Sequence, residues 1–137
     1  VRYLLDTNVL SDARRQTFPE FNAWLAGQVR ADLMISIISL LEIERGILQV
    51  ERRDASAGQH LRAWLEAEIM PAFSGLILPI DVSVARTAAG LHVPDPMPEM
   101  DALIAATAIV HDLILVTHNT KDFERTGIRL LDPRRGE

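Results

Sequence analysis

Three carboxylates stand beside apolar runs that predict buried structure. Asp6 closes Tyr3-Leu4-Leu5, Glu42 is embedded in Ser39-Leu40-Leu41-Glu42-Ile43, and Asp101 opens Asp101-Ala102-Leu103-Ile104-Ala105-Ala106. An acid next to a hydrophobic run is costly unless something neutralises it. Two carboxylates about 4 Å apart repel by about 4 kcal/mol at an effective dielectric near 20. That corresponds to roughly three pKa units, so three such acids do not all stay ionised at neutral pH without a cation. A shared divalent ion is the economical neutraliser. An oxygen-only donor set, without Cys and without paired His, favours Mg²⁺ or Mn²⁺ over Zn²⁺. A magnesium ion on a few carboxylates keeps waters that bind phosphate oxygens or supply a nucleophile, which points to phosphodiester chemistry. None of His60, His92, His111 and His118 shows ligand spacing with another. His118 reads as an exposed loop histidine close to the site. Each acid also has a simpler role: Asp6 as a cap, Glu42 as the capping-box partner of Ser39, and Asp101 as a favourable first-turn charge.

The elements that must position these acids alternate. Residues 2–6 read as a short buried strand, Thr7-Asn8 as turn and cap residues, and Val9 to Ala13 as a first helical turn. Phe18-Pro19-Glu20 reads as a helix start, running to about Arg30 with Phe21, Trp24, Leu25 and Val29 on one face. Leu33 to Ile37 is a second strand. Ser39 then caps a helix in which Leu40, Ile43, Ile47 and Val50 form a stripe widened by Leu41 and Leu48. Ser56 to Phe73 is a further helical segment that Pro71 kinks or ends. Leu76 to Ile80 is the third strand and Ser83 to Leu91 a short helix. The alternate prolines of Val93-Pro94-Asp95-Pro96-Met97-Pro98 predict a stiff loop. Asp101 to His111 is helical, Leu113 to Val116 is the fourth strand, Asn119 to Arg125 a short helix or turn, and Ile128 to Leu131 the fifth strand. Continuously apolar strands alternating with helices predict a parallel sheet covered on both faces. In such a sheet ligands bind beyond the carboxyl ends of the strands. Asp6, Glu42, Asp101, Asn119 and Asp122 all fall at that edge.

The chain of 137 residues fits one domain, 1–137, with one core. It has no cysteine, which excludes disulfides, thiolate catalysis and Cys-based metal sites and is compatible with a reducing cytoplasm. No apolar stretch reaches membrane-spanning length and no signal-peptide pattern precedes the first strand. A net charge of −5 argues against a simple nucleic-acid-binding surface. Arg14-Arg15, Arg52-Arg53 and Arg134-Arg135 are nonetheless paired basic spots, read as solvated surface or as local contacts for an anion.

Four segments in order carry a resemblance: Leu4-Leu5-Asp6-Thr7-Asn8-Val9-Leu10, Ser39-Leu40-Leu41-Glu42-Ile43-Glu44-Arg45-Gly46, Asp101-Ala102-Leu103-Ile104-Ala105-Ala106-Thr107-Ala108, and Leu115-Val116-Thr117-His118-Asn119-Thr120-Lys121-Asp122-Phe123. Over nearly its whole length the chain resembles the PIN-domain ribonucleases, and within them the VapC-type toxins of bacterial toxin–antitoxin pairs. The resemblance implies a three-layer α/β fold with a five-stranded parallel sheet flanked by helices. It implies that Asp6, Glu42 and Asp101 hold Mg²⁺ or Mn²⁺, and that metal-activated water hydrolyses RNA. Many relatives carry a fourth acid where this chain has Asn119, and Asp122 is the nearest acid to that position. Thr7, Asn8, Thr117 and Asn119 become groups that support the acids or touch phosphate. Gly46, one turn after Glu42, reads as a glycine kept because a side chain would crowd that carboxylate. The resemblance also implies a cognate antitoxin, docking on the helical pair of residues 39–73, and a homodimer.

Two rivals share the first strand. A haloacid-dehalogenase-type phosphatase uses an Asp after strand one as nucleophile and wants a second acid two residues on, where this chain has Asn8. A catalytically silent PIN fold would bind a partner or RNA without cutting. A dinucleotide-binding module is disfavoured because no glycine-rich turn follows the first strand.

Overall fold

Leu4 and Leu5 point to opposite sides of the sheet, and this alternation organises the molecule. The computed structural model describes residues 1–135. The strands are β1 (Tyr3–Leu5), β2 (Leu33–Ser36), β3 (Ile77–Leu78), β4 (Ile114–Val116) and β5 (Leu130–Leu131). They form one sheet of order β3-β2-β1-β4-β5, every pair parallel. Successive strand side chains face opposite ways. Leu5, Ile35 and Val116 therefore enter a core with Val9, Phe21 and Ile43 on one face. Leu4, Met34 and Leu115 enter a second core with Ile104, Ala105 and Phe123 on the other. Both faces are covered, which explains strands that are apolar at consecutive positions.

The helices are α1 (Thr7–Arg15), α2 (Pro19–Ala26), α3 (Ile37–Arg53), α4 (Ala55–Trp64), α5 (Met70–Ala72), α6 (Val82–Leu91) and α7 (Glu99–His111). A π-helical turn, Leu65–Ile69, joins α4 to α5. The chain leaves β1 for β2 and β3, then returns past β1 to form β4 and β5. The direction of winding thus reverses between β1 and β4, and a crevice opens beyond their carboxyl ends. Helices that follow or precede parallel strands begin at that edge, which brings the first turns of α3 and α7 to the crevice.

Several boundaries differ from the sequence reading, each for a local reason. Thr7 and Asn8 lie inside α1, because Asp6 itself caps that helix by accepting from the Thr7 amide. The second helix stops at Ala26, where Gly27 withdraws helix propensity, and a 3₁₀ turn spans Arg30–Asp32, so Val29 is exposed rather than on the buried face. Ser36, not Ser39, caps α3, its hydroxyl accepting from the Ile38 amide. Ser39 is consequently buried inside the helix, and Glu42 is not a capping-box partner. Leu41 and Leu48 are 43% and 55% exposed. At 100° per residue they stand about 150° around the helix from Ile43 and cannot widen its buried stripe. Pro79 has no N–H to give a ladder, and β3 shrinks to two residues. The proline loop of residues 93–98 is irregular, as expected. Among the described residues no helix is long and apolar enough to cross a membrane.

Candidate active site

Asp6 sits one residue beyond β1, only 7% exposed. Its Oδ1 accepts from the Thr7 amide at 2.8 Å and its Oδ2 from the Thr117 hydroxyl at 2.9 Å. Thr117 comes one residue after β4, so the hydroxyl bridges the two strands where the winding reverses. The backbone repeats the link, with the Asp6 amide donating to the Val116 carbonyl at 2.9 Å. The Thr117 oxygen also accepts from the Asn119 amide at 3.0 Å. Its single proton is therefore committed to Asp6.

Glu42 arrives from the second turn of α3. The Thr7 hydroxyl donates to Glu42 Oε1 at 2.6 Å and lies 3.0 Å from the Ser39 hydroxyl. Thr7 thus ties the α1 acid to the α3 acid: its amide holds Asp6 and its side chain holds Glu42. Asp101, in the first turn of α7, completes the trio. Asp122 stands exposed at the end of the 3₁₀ turn Thr120–Asp122.

Electrostatics couples these residues. Burial first, then the charges of Asp101 and Glu42, outweigh the two hydrogen bonds and push the Asp6 carboxyl up to about 6. Asp101 is also raised, by burial and then by Asp122 and Glu42. The charged neighbours acting on Asp101 are themselves acids, so the crevice concentrates negative charge. Asp6, Glu42 and Asp101 are brought within mutual influence, and Asp122 joins them through Asp101. Among the described residues, however, no three acidic or histidine side chains form a ready-made cage for an ion. A magnesium ion commonly uses one or two carboxylates, keeps several waters and completes its shell with substrate phosphate.

The remaining candidates divide. Thr7 and Thr117 hold the acids directly. The Asn8 side chain is turned to the His118 amide, with its Oδ1 accepting at 3.5 Å, and supplies no second acid of the kind a phosphatase nucleophile site needs. Asn119 contributes its backbone amide to Thr117 and leads into the Asp122 turn. Gly46 corrects an expectation: a Cβ there would meet nothing within 4 Å, so no crowding of Glu42 explains that glycine.

His118 is not an exposed loop residue. Its side chain is 5% exposed, its Nδ1 is paired with Asp12, and the rings of Phe18 and Phe21 stand edge-on to it at 5.2 and 5.6 Å. Burial, then the Arg134 charge, pushes the imidazole below its usual range. A neutral ring with Nδ1–H donated to Asp12 leaves Nε2 bare, and that atom is buried without a partner. The sequence reading also missed Asp132 and Arg134. Arg134, read as half of a solvated basic pair, grips Asp132 with Nε and Nη2 at 3.0 and 2.8 Å. The Arg135 side chain lies outside the described residues. A signal for Asp132 existed: it follows the apolar pair Leu130-Leu131 as Asp6 follows Leu4-Leu5.

A five-stranded parallel sheet with acids gathered at its reversal point defines a class. The PIN domain family model matches residues 3–129, and the chain belongs to that family. It is 30% identical over 139 residues to VapC ribonuclease Y4jK of Sinorhizobium fredii, covering 95% of this chain and 96% of that protein. It is 34% identical over 137 residues to toxin FitB of Neisseria gonorrhoeae, with 95% and 96% covered. The crystal structure of FitAcB from the same organism superposes with a TM-score of 0.87 at 31% identity, covering 96% of this chain and 97% of that one.

Proposed function

We propose that this protein is a divalent-metal-dependent endoribonuclease acting as the toxin of a toxin–antitoxin pair. The observation that carries the reading is the gathering of acids at the β1/β4 crevice, where burial and then neighbouring acids raise both Asp6, to about 6, and Asp101. Such a site favours a cation over any arrangement without one. Asp6, Glu42 and Asp101 would hold Mg²⁺ or Mn²⁺, with Asp122 facing the substrate side. The ion, when bound, supplies positive charge for the phosphate and activation of water. The chain's own residues do the rest. Thr117 and the Thr7 amide fix both oxygens of Asp6, and the Thr7 hydroxyl fixes Glu42, so the acids are aimed before substrate arrives. One domain, 1–137, would suffice for this chemistry. A cysteine-free chain suits the cytoplasm, where RNA is met.

The names of the relatives support the biological half of the reading. One is called a ribonuclease and another a toxin, at 30% and 34% identity along nearly the full chain. For the antitoxin we favour the α3 side of the helical pair. An apolar groove there is walled by Ile37, Leu41, Leu65 and Met70, and a partner helix seated in it could direct a basic side chain at the acids. A homodimer is part of the same reading, and light scattering at micromolar concentration tests it.

Asp101→Asn is the decisive variant. It should abolish Mg²⁺-dependent cleavage of RNA while circular dichroism and thermal unfolding stay those of a folded protein. Full activity in that variant ends the proposal. Calorimetry that detects no Mn²⁺ binding to the wild-type protein favours the silent PIN fold instead.

A further inference from the structure

We infer that Arg134 is a positioning residue, a clamp from the C-terminal segment that sets the Thr117–Asn119 loop and, through Thr117, the orientation of Asp6. The inference rests on the nuclease reading for its consequence and on geometry for its substance. Arg134 comes three residues after β5, and its guanidinium does three things at once. It forks onto Asp132, with Nε at 3.0 Å from Oδ1 and Nη2 at 2.8 Å from Oδ2. The same Nη2 donates to the His118 carbonyl at 2.9 Å. Its planar face lies 4.9 Å from the centre of the Phe18 ring.

The loop it grips has no regular structure to hold it. β4 ends at Val116, and the next 3₁₀ turn starts at Thr120. Residues 117–119 are held instead from outside. The Thr117 amide donates to the Leu131 carbonyl of β5 at 3.0 Å. The His118 ring is paired with Asp12 of α1, and the His118 amide reaches Asn8. Arg134 takes the His118 carbonyl, which rotates as a unit with the Asn119 amide across one planar peptide. That amide donates to the Thr117 oxygen, and the Thr117 proton goes to Asp6. The path from Arg134 to Asp6 is thus three hydrogen bonds and one peptide plane, each bond with a stated partner. A lysine in place of Arg134 has no planar fork and cannot satisfy the carboxylate and the carbonyl together.

Arg134→Lys keeps a positive charge beside the buried Asp132, and it is the main test variant. Outer partners of metal-holding side chains typically contribute a factor of about ten or more. We expect Arg134→Lys to lower kcat for RNA about tenfold, with KM unchanged. Thr117→Val removes the last link, so in that background Arg134→Lys should have no further effect on kcat. The same fractional loss in both backgrounds would mean that Arg134 does not act through Thr117 and overturns the inference. Amide hydrogen exchange supplies a readout that needs no activity. The Asn119 amide should exchange faster in Arg134→Lys while the Ile35 amide of β2 keeps its wild-type rate. Unchanged protection at Asn119 refutes the clamp even if the wild-type protein cuts no RNA, a result that would remove the nuclease reading alone.

Discussion

Asp6 and Asp132 are the same residue in nearly the same place, and the molecule treats them in opposite ways. Each stands one residue beyond a parallel strand at the carboxyl edge, and each is buried, at 7% and 2% exposure. Asp6 is surrounded by hydroxyl, amide and other acids, and its carboxyl rises to about 6. Asp132 suffers burial too, but the hydrogen bonds and charge of Arg134 outweigh it and hold the carboxyl below the ordinary range. One acid carries its own cation in the sequence, two residues away. In the proposed function the other takes its cation from outside. Buried carboxylates are therefore not in themselves a mark of function in this fold. What distinguishes the crevice is that the partners offered to its acids are neutral or negative.

The contrast is broken first by taking away the internal cation. Arg134→Met should remove the forked cation that offsets the buried Asp132 charge. Removing one member of a buried pair costs about 3–5 kcal/mol, and the partial exposure of Arg134 discounts this to about 3 kcal/mol. Chemical denaturation at pH 7 should show that loss, whereas an unchanged midpoint would mean the Asp132 ion pair contributes nothing.

The opposite sign is expected at Asp6. Asp6→Asn keeps an oxygen for the Thr7 amide and removes the charge that burial penalises. The metal-free variant should be more stable than wild type by about 2 kcal/mol at pH 7. A carboxyl raised on folding binds its proton more tightly in the native state. The wild-type protein therefore has its Asp6 contribution in full below the ordinary carboxylate range near 3.8 and loses it as pH rises through about 6. Unfolding curves in a chelator at pH 4 and pH 7 should converge for the two proteins at the lower pH and separate at the higher. A variant less stable than wild type at both values removes electrostatic tension from the account of the crevice. Asp132 shifts the other way, so its contribution is present at neutral pH and is lost as pH falls through its lowered native value.

A smaller effect sharpens the same point. Mg²⁺ or Mn²⁺ at ten times its dissociation constant should raise wild-type stability by about 1.4 kcal/mol and leave Asp6→Asn almost unmoved. Equal shifts in both proteins would place the ion elsewhere.

Much of this was legible in the residues, because the fold writes itself in periodicity. Continuous apolar runs such as Leu113 to Val116 predict strands buried on both faces, and the structure has them. The acids are visible because each borders such a run. Lost in the sequence were the features that depend on where a helix starts. Ser36 and Ser39 are both good caps by type, and only the packing of Ile38 against the sheet decides for the earlier one. The error moved Glu42 by three positions along its helix. His118 and Arg134 were misread for a related reason. Polar residues in segments without periodicity carry no sign of burial, and the contacts that bury these two span 106 to 16 positions, from Asp12 to His118 and from His118 to Arg134.

Gly46 offers the smallest and most discriminating test. Two glycines interrupt the α3–α4 pair, and they are unlike. A Cβ at Gly58 would lie 2.7 Å from Glu51 Cα, so the close approach of the two helices forbids a side chain there. At Gly46 the same atom would meet nothing. Glycine inside a helix costs roughly 0.5–1 kcal/mol relative to alanine through backbone entropy. Gly46→Ala should therefore stabilise the protein by that amount. Its effect on Mn²⁺ affinity and on RNA cleavage should be nil, because the methyl group cannot touch Glu42 one turn earlier. Should the variant bind Mn²⁺ more weakly, the space beside Glu42 is needed for something that approaches the acids, and the crevice extends further along α3 than its acidic residues do. Gly58→Ala in the same experiment should lower stability and so separate a packing glycine from a permissive one.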